Sequence, residues 1–203
     1  MKLTNEQLID NIKQWARDRG LDTGSTLGKQ FVKLMEEFGE LCSGLAKQKT
    51  DVIADSIGDM IVVMVVMNTI YDNLPLQLKP DSDDKLLIKE TMQRLESKYK
   101  QDQINTLSEH YFNHYDRRVS FAVGALNALG DETSRIDVFG KDTNIDFMSE
   151  AMFSLFRELY NLATAFGLNV NDCLNQAWNE IKDRKGKMIG GAFVKEGDLK
   201  DGQ

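Results

Sequence analysis

Acidic side chains at helical spacing are the strongest indication of chemistry in this sequence. Members of each of two sets are three or four residues apart, so on a helix each set lies along one side. The two sets are Glu36, Glu37 and Glu40 in one segment and Asp51, Asp55 and Asp59 in the next. Glu37 lies beside the apolar positions Leu34 and Leu41 of its own segment, so we expect it to point partly towards the core.

Asp55 and Asp59 interrupt the most hydrophobic stretch of the chain, which continues as the apolar run Met60–Met67. Burying an unpaired carboxylate is costly, so both need a positive partner. No Lys or Arg occurs between Lys49 and Lys79. A bound cation, or a basic residue from elsewhere in the fold, must therefore supply the charge. Oxygen donors without cysteine or histidine among them favour Mg²⁺, with Mn²⁺ as a substitute.

Carboxylates from two facing helices can hold two or more such ions. Paired ions about 3.5–4 Å apart stabilise a phosphoryl transition state and activate a water molecule. The predicted metal ligands are Glu37, Glu40, Asp55 and Asp59. The alternative interpretation of the same residues is a solvated acidic face on the helix that carries Glu36, Glu37 and Glu40, and Asp–Lys ion pairs on the helix that carries Asp51, Asp55 and Asp59.

Three helices are predicted to position these groups. The first begins at Thr4, where Thr4 and Gln7 form a capping box, and Gly20 is its predicted stop. The second covers about 25–49 and the third about 51–71, each with apolar residues at helical spacing. The third is apolar nearly all round, which predicts burial on most sides. Its β-branched residues also permit a strand, but its length and the lack of turn signals favour a helix.

The rest of the chain is also predicted to be helical. Further helices are expected over about 83–103, 105–129, 147–166 and 171–185, with 130–146 irregular and a loose tail from Gly190. The fold class is therefore all-α, and 203 residues suit a single domain with an insertion. The sparse prolines, two in the whole chain, agree with a helical protein.

Composition excludes several classes of function. A net charge of −7 argues against a broad nucleic-acid-binding face. Two cysteines, Cys42 and Cys173, are too few for a disulfide framework. The N-terminal residues lack an apolar signal core, and the run Met60–Met67 is far shorter than the roughly 20 residues that span a bilayer. We therefore expect a soluble, cytoplasmic protein with no membrane or nucleic-acid partner.

The acidic motifs resemble those of the all-α nucleoside triphosphate pyrophosphohydrolases, the MazG-like superfamily with its dimeric dUTPase and dCTPase relatives. The hallmark is Glu-Glu-x-x-Glu on one helix and Glu-x-x-Asp on the next. Residues 36–40 match the first half. The second half is matched at Asp59, whereas Ser56 stands where the family has Glu and Asp55 is the nearest replacement. The resemblance is strongest over about 8–72 and 151–195.

The resemblance implies a four-helix-bundle-like core, over about 1–72 and 151–195, with a helical insertion over about 73–150. It implies Mg²⁺-dependent hydrolysis of a nucleoside triphosphate to the monophosphate and pyrophosphate, in a homodimer or homotetramer. The catalytic carboxylates are then Glu36, Glu37 and Glu40, with Glu36 orienting or activating water. The same family has a basic last helix that contacts the triphosphate, and its counterparts here are Lys182, Arg184 and Lys185.

The resemblance also suggests nucleotide contacts, which are Trp15, Gln30, Lys33 and Asn179. Two of them, and the basic cluster, have a simpler interpretation that stays open. Trp15 is also explained as a core tryptophan, Lys33 as an ion-pair partner of Glu37, and the basic cluster as cations that complement a helix dipole. Two other functions stay open as well. One is a dUTP- or dCTP-specific member of the superfamily, and the other is a catalytically silent helical protein that binds metal or nucleotide.

Overall fold

A computed structural model describes residues 2–74, 88–98, 114–139 and 145–199. Its helices are α1 (Asn5–Asp18), α2 (Leu21–Gly24), α3 (Leu27–Ala46), α4 (Thr50–Asp72), α5 (Ile88–Lys98), α6 (Tyr115–Phe139), α7 (Ile145–Ala165) and α8 (Val170–Ile181). A hairpin of β1 (Gly186–Ile189) and β2 (Ala192–Lys195) follows, and a 3₁₀ turn covers Glu196–Asp198. The protein is all-α in class, as the sequence predicts.

Helix α1 begins and ends where the sequence predicts. Thr4 is the N-cap, and its side chain and that of Gln7 form the reciprocal capping box. The chain leaves the helix through Gly20, whose φ of +66° is a left-handed conformation that suits glycine. The apolar stripe is buried in full, and its members are Leu8, Ile9, Ile12, Trp15 and Ala16. This stripe packs α1 against α4 and α8.

Helix α4 lies in the middle of the fold and packs against α1, α2, α3, α7 and α8. Neighbours on several sides explain its apolar surface, and the alternative of a strand is wrong. By length and composition α4 is also long enough to cross a membrane, and 83% of its most apolar window is buried inside the fold. That burial accounts for its hydrophobic character.

Close contact between α4 and α8 depends on Gly58. A Cβ added there would overlap the carbonyl oxygen of Cys173 and lie 2.9 Å from the Cβ of Ala177. A Cβ added at Gly44 of α3 would lie 3.1 Å from side-chain atoms of Ile53 and Val52 on α4. These two glycines let α3 and α8 pack closely against α4.

The predicted irregular segment 130–146 is wrong over most of its length. Helix α6 continues to Phe139, and α7 begins at Ile145. The reason is burial at helical spacing beyond the predicted end, through Leu129, Glu132, Thr133 and Ile136. Gly130 does not end the helix, because it packs directly beneath the ring of Phe31 on α3. The predicted helices over 83–103 and 105–129 lie partly outside the described residues.

The C-terminal prediction is wrong in two respects. The last helix ends at Ile181 instead of about 185, and the tail from Gly190, predicted to be loose, forms the turn and second strand of the hairpin. Gly190 and Gly191, with φ of +57° and +82°, make its two-residue turn, the conformation that a tight hairpin requires. Phe193 of β2 packs edge-on against Trp15 of α1, with ring centroids 5.9 Å apart. The hairpin is therefore attached to the helical core.

The division into a core and an insertion over 73–150 is a prediction that stays open. The described helices of that segment, α5 and α6, pack against α7 and α3.

Candidate metal and phosphate site

Three acidic residues, Glu37 of α3 and Asp55 and Asp59 of α4, lie where these two helices pack together. Glu37 is buried, with 4% of its surface exposed, and Asp55 and Asp59 are half-buried. Glu36 and Glu40 are exposed on the outer side of α3. The pattern follows from the helical turn, since Glu37 falls on the α4-facing side of the helix and its neighbours fall towards solvent.

Lys33, one turn before Glu36 and Glu37 on α3, forms ion pairs with both of these carboxylates. Its Nζ lies 2.7 Å from Oε1 of Glu37 and 2.9 Å from Oε2 of Glu36. Partial burial acts to lower the pKa of the Lys33 ammonium, but the hydrogen bonds and charges of the two glutamates outweigh it and the pKa is raised. Lys33 therefore stays charged and is the counter-ion of the buried Glu37, in agreement with the ion-pair interpretation.

Asp59 is the most strongly perturbed acid of this region. Its pKa is raised to about 7, first by burial and then by the charges of Glu37, Asp55 and Glu180, whereas the charge of Arg184 acts in the opposite direction. Carboxylates of α3, α4 and α8 are thus close enough to repel one another. The positive charge of Arg184, in the turn after α8, offsets that repulsion in part.

The chemistry of these donors fits a divalent cation. They are carboxylate oxygens that repel one another, and the nearby hydroxyl oxygen of Ser56 is buried with no hydrogen-bond partner in the described residues. Within the part of the chain that the structure describes, no three His, Cys, Asp or Glu side chains form a ready-made metal cage. The side chains of Glu37, Asp55 and Asp59 would therefore have to move from their present positions to bind an ion together. Asp55 is oriented by Gln176 of α8, whose Nε2 donates to its Oδ1 at 3.1 Å.

The basic cluster lies in the turn after α8 instead of within the helix. Lys182 and Lys185 are exposed and Arg184 is half-buried. Asn179, also exposed, accepts a hydrogen bond at Oδ1 from Nζ of Lys182, 3.0 Å away. The helix stops because carbonyls at this point accept from other partners, among them Nε1 of Trp15, which donates to the Ile181 oxygen at 2.8 Å.

Two of the predicted nucleotide contacts are held inside the fold. Trp15 is 8% exposed, donates its N–H to the main chain and is covered by the guanidinium of Arg19. This placement agrees with the interpretation as a core tryptophan. Gln30 is also buried, and its Nε2 donates to Oγ of Ser25 at 3.0 Å.

Sequence analysis overlooked three groups in this region: Glu180, Gln176 and Arg19. Glu180 precedes the basic residues near the end of α8, and its charge acts on Asp59. Helical spacing could have found Gln176, which lies four residues before Glu180 and so on the same side of α8. No local pattern distinguishes Arg19, because its partners are about 165 residues away in the chain.

Part of the chain is similar to a protein of a bacteriophage. A stretch of 62 residues is 69% identical to a protein of Haemophilus phage HP1 (strain HP1c1), described as an uncharacterized 18.2 kDa protein in the rep-hol intergenic region. The match covers 30% of this chain and 38% of the phage protein. No family model and no solved structure matches the chain. Family membership therefore stays a prediction from the acidic motifs.

Proposed function

We propose that the protein is a Mg²⁺-dependent nucleoside triphosphate pyrophosphohydrolase, which converts a (d)NTP to the (d)NMP and pyrophosphate. The observation that carries this proposal is the electrostatics around Asp59. The charges of carboxylates on α3, α4 and α8 act on it, and so does that of the Arg184 guanidinium in the basic turn. An acidic group beside a cationic group is the pairing that a metal–phosphate complex needs, since the carboxylates bind the metal and the cations bind the phosphate.

In this proposal the acids of α3 and α4 hold one or more divalent cations, with Mn²⁺ as a substitute for Mg²⁺. When bound, such ions neutralise phosphate charge and make a water molecule more acidic. The proposed ligands are Glu37, Glu40, Asp55 and Asp59. Glu40 is exposed at the rim, so it would join the set from the solvent side.

The remaining steps belong to the chain's own residues. Lys182, Arg184 and Lys185 hold the phosphates, and Asn179 keeps Lys182 in place. Glu36 orients the attacking water and accepts its proton. The oxygen of that water bonds to phosphorus, the bridging bond between the α- and β-phosphates breaks, and pyrophosphate leaves. Positioning and charge stabilisation are sufficient for this type of transfer, without a covalent intermediate.

The test is pyrophosphate release from a panel of NTPs and dNTPs with Mg²⁺, Mn²⁺ or EDTA, with the products separated by chromatography. We expect monophosphate and pyrophosphate with either metal and no reaction in EDTA. Asp59→Asn should remove turnover, whereas Asp51→Asn, an exposed carboxylate two turns earlier on α4, is the matched control. Well-folded protein that turns over none of these nucleotides would refute the proposal. The same panel ranks the bases, and so tests the dUTP- or dCTP-specific alternative.

A catalytically silent protein that binds metal or nucleotide is the second candidate. The position of Ser56 favours it, since the superfamily has a Glu at this position and the buried Ser56 hydroxyl offers no charge. Mn²⁺ binding without turnover on any nucleotide supports this candidate over the first. A cytoplasmic homodimer or homotetramer without a nucleic-acid or membrane partner is part of either proposal, and sedimentation of the purified protein measures the assembly.

A further inference from the structure

Arg19, at the C-terminal end of α1, is hydrogen-bonded to the backbone of the basic turn after α8. Its Nε and Nη2 donate to the carbonyl oxygen of Arg184 at 3.1 and 2.7 Å. Nη2 also donates to the carbonyl oxygen of Lys182 at 3.3 Å. Hydrogen bonds from a charged donor are stronger than neutral ones, so this guanidinium is a strong constraint on the backbone between Lys182 and Arg184.

Aromatic packing fixes the guanidinium itself. Its central carbon lies 4.7 Å from the ring centroid of Trp15 and 5.9 Å from that of Phe193 on the hairpin, within the range of cation–π attraction. Trp15 holds the same turn from its other end through the bond to the Ile181 carbonyl. The turn is therefore attached to α1 at Ile181, Lys182 and Arg184.

Among the described residues, few other backbone hydrogen bonds support the turn. It lies beyond the last residue of α8, and these bonds run from the Lys182 N–H to the Trp178 oxygen, from the Arg184 N–H to the Ile181 oxygen and from the Glu196 N–H to the Lys185 oxygen. Arg19 donates hydrogen bonds to carbonyl oxygens of the turn. The side chains of Lys182 and Lys185 stay exposed to solvent. The charge of Arg184 stays within reach of the acidic cluster.

We propose that Arg19 is a positioning residue for phosphate binding: it holds the turn 182–184 so that the side chains of Lys182 and Arg184 meet a polyphosphate beside the acidic cluster. This proposal rests on the proposed function for the identity of the ligand. Arg19 itself is not a phosphate ligand in this scheme, because its donors are engaged by the backbone.

Binding of inorganic pyrophosphate, measured by isothermal titration calorimetry, tests the role directly. Arg19→Ala is expected to weaken pyrophosphate binding about tenfold, the scale of losing one hydrogen bond to a charged group. Arg19→Lys keeps a cation that donates to the turn and should recover part of the loss. The matched control is Arg17→Ala, which removes an equal charge from an exposed position two residues away and should bind as the wild type does.

Kinetics separate positioning from a general effect on folding. With nucleotide substrate, Arg19→Ala should raise KM about tenfold and change kcat less, whereas a loss of fold lowers the active fraction and with it kcat. If Arg19→Ala does not fold, Arg19→Lys decides the question. Folded Arg19 variants that bind pyrophosphate as tightly as the wild type overturn the proposal.

The outcome is also separable from that of the proposed function. Wild-type protein that binds pyrophosphate in an Arg19-dependent way, but turns over no nucleotide, supports the positioning role and refutes the hydrolase. Turnover that is unaffected by Arg19 refutes the positioning role alone.

Discussion

Asp59→Asn should make the stability of the protein less dependent on pH. The folded protein raises the pKa of Asp59 from an ordinary value of 3.8 to about 7, a shift of about three units at 1.36 kcal/mol each. The pH-dependent contribution of Asp59 to the free energy of unfolding is therefore about 4 kcal/mol. Solvent screening of a half-buried group reduces this contribution to about 2 kcal/mol. Because the folded pKa is the higher, this stabilisation is complete below the unfolded pKa and is lost as the pH rises to about 7.

Urea denaturation at pH 4.5 and pH 8, without divalent metal, measures the effect. Between these pH values the wild type should lose about 2 kcal/mol more of its unfolding free energy than Asp59→Asn does. Asp51→Asn, which removes an exposed carboxylate from the same helix, should keep the wild-type pH dependence. Equal pH dependence in the wild type and Asp59→Asn would show that Asp59 is not perturbed by burial and by its acidic neighbours, and would remove the observation on which the proposed function depends.

The remaining predictions concern packing and the counter-ion. Gly58→Ala should destabilise the protein by about 1–3 kcal/mol, because the new methyl group meets the Cys173 carbonyl. Gly39→Ala, with nothing within 4 Å of the new methyl, should instead stabilise the protein by about 0.5–1 kcal/mol. Equal effects of Gly58→Ala and Gly39→Ala in urea denaturation would contradict the close approach of α8 to α4. Lys33→Met should lower stability at pH 8 by about 1–2 kcal/mol, because it leaves the Glu37 carboxylate buried without its partner. Added Mn²⁺ should restore more stability to this variant than to the wild type, and a fluorescence-monitored unfolding curve with and without Mn²⁺ measures both effects.

Sequence analysis was most accurate where a segment carries its own signals. The capping box at Thr4 and the stripe that includes Trp15 are local patterns, and α1 follows them closely. The all-round apolar pattern of α4 predicts a central helix, which the contacts of α4 confirm. For the candidate site, spacing alone predicted that Glu37 points partly towards the core, and its side chain is buried there.

Predictions failed where a distant contact decides the local structure. Gly130 is an ordinary stop signal, yet α6 continues through it because the ring of Phe31 requires the space that glycine leaves. The end of α8 depends on donors from α1, which no pattern near residue 181 reveals. The Gly190–Gly191 pair between short apolar segments was a visible hairpin signal, and its attachment to Trp15 is a tertiary contact.

By itself the sequence determined the helical class, the central position of α4 and the side of each helix on which its carboxylates lie, since helical periodicity is a property of neighbours in the chain. The tertiary structure alone decided which of those carboxylates interact and how strongly. The pKa of Asp59 depends on burial and on charges from α3, on Asp55 of its own helix, and on Glu180 and Arg184 at the end of α8. Electrostatic energy depends on distance and on access of water, and folding sets both for residues far apart in the chain.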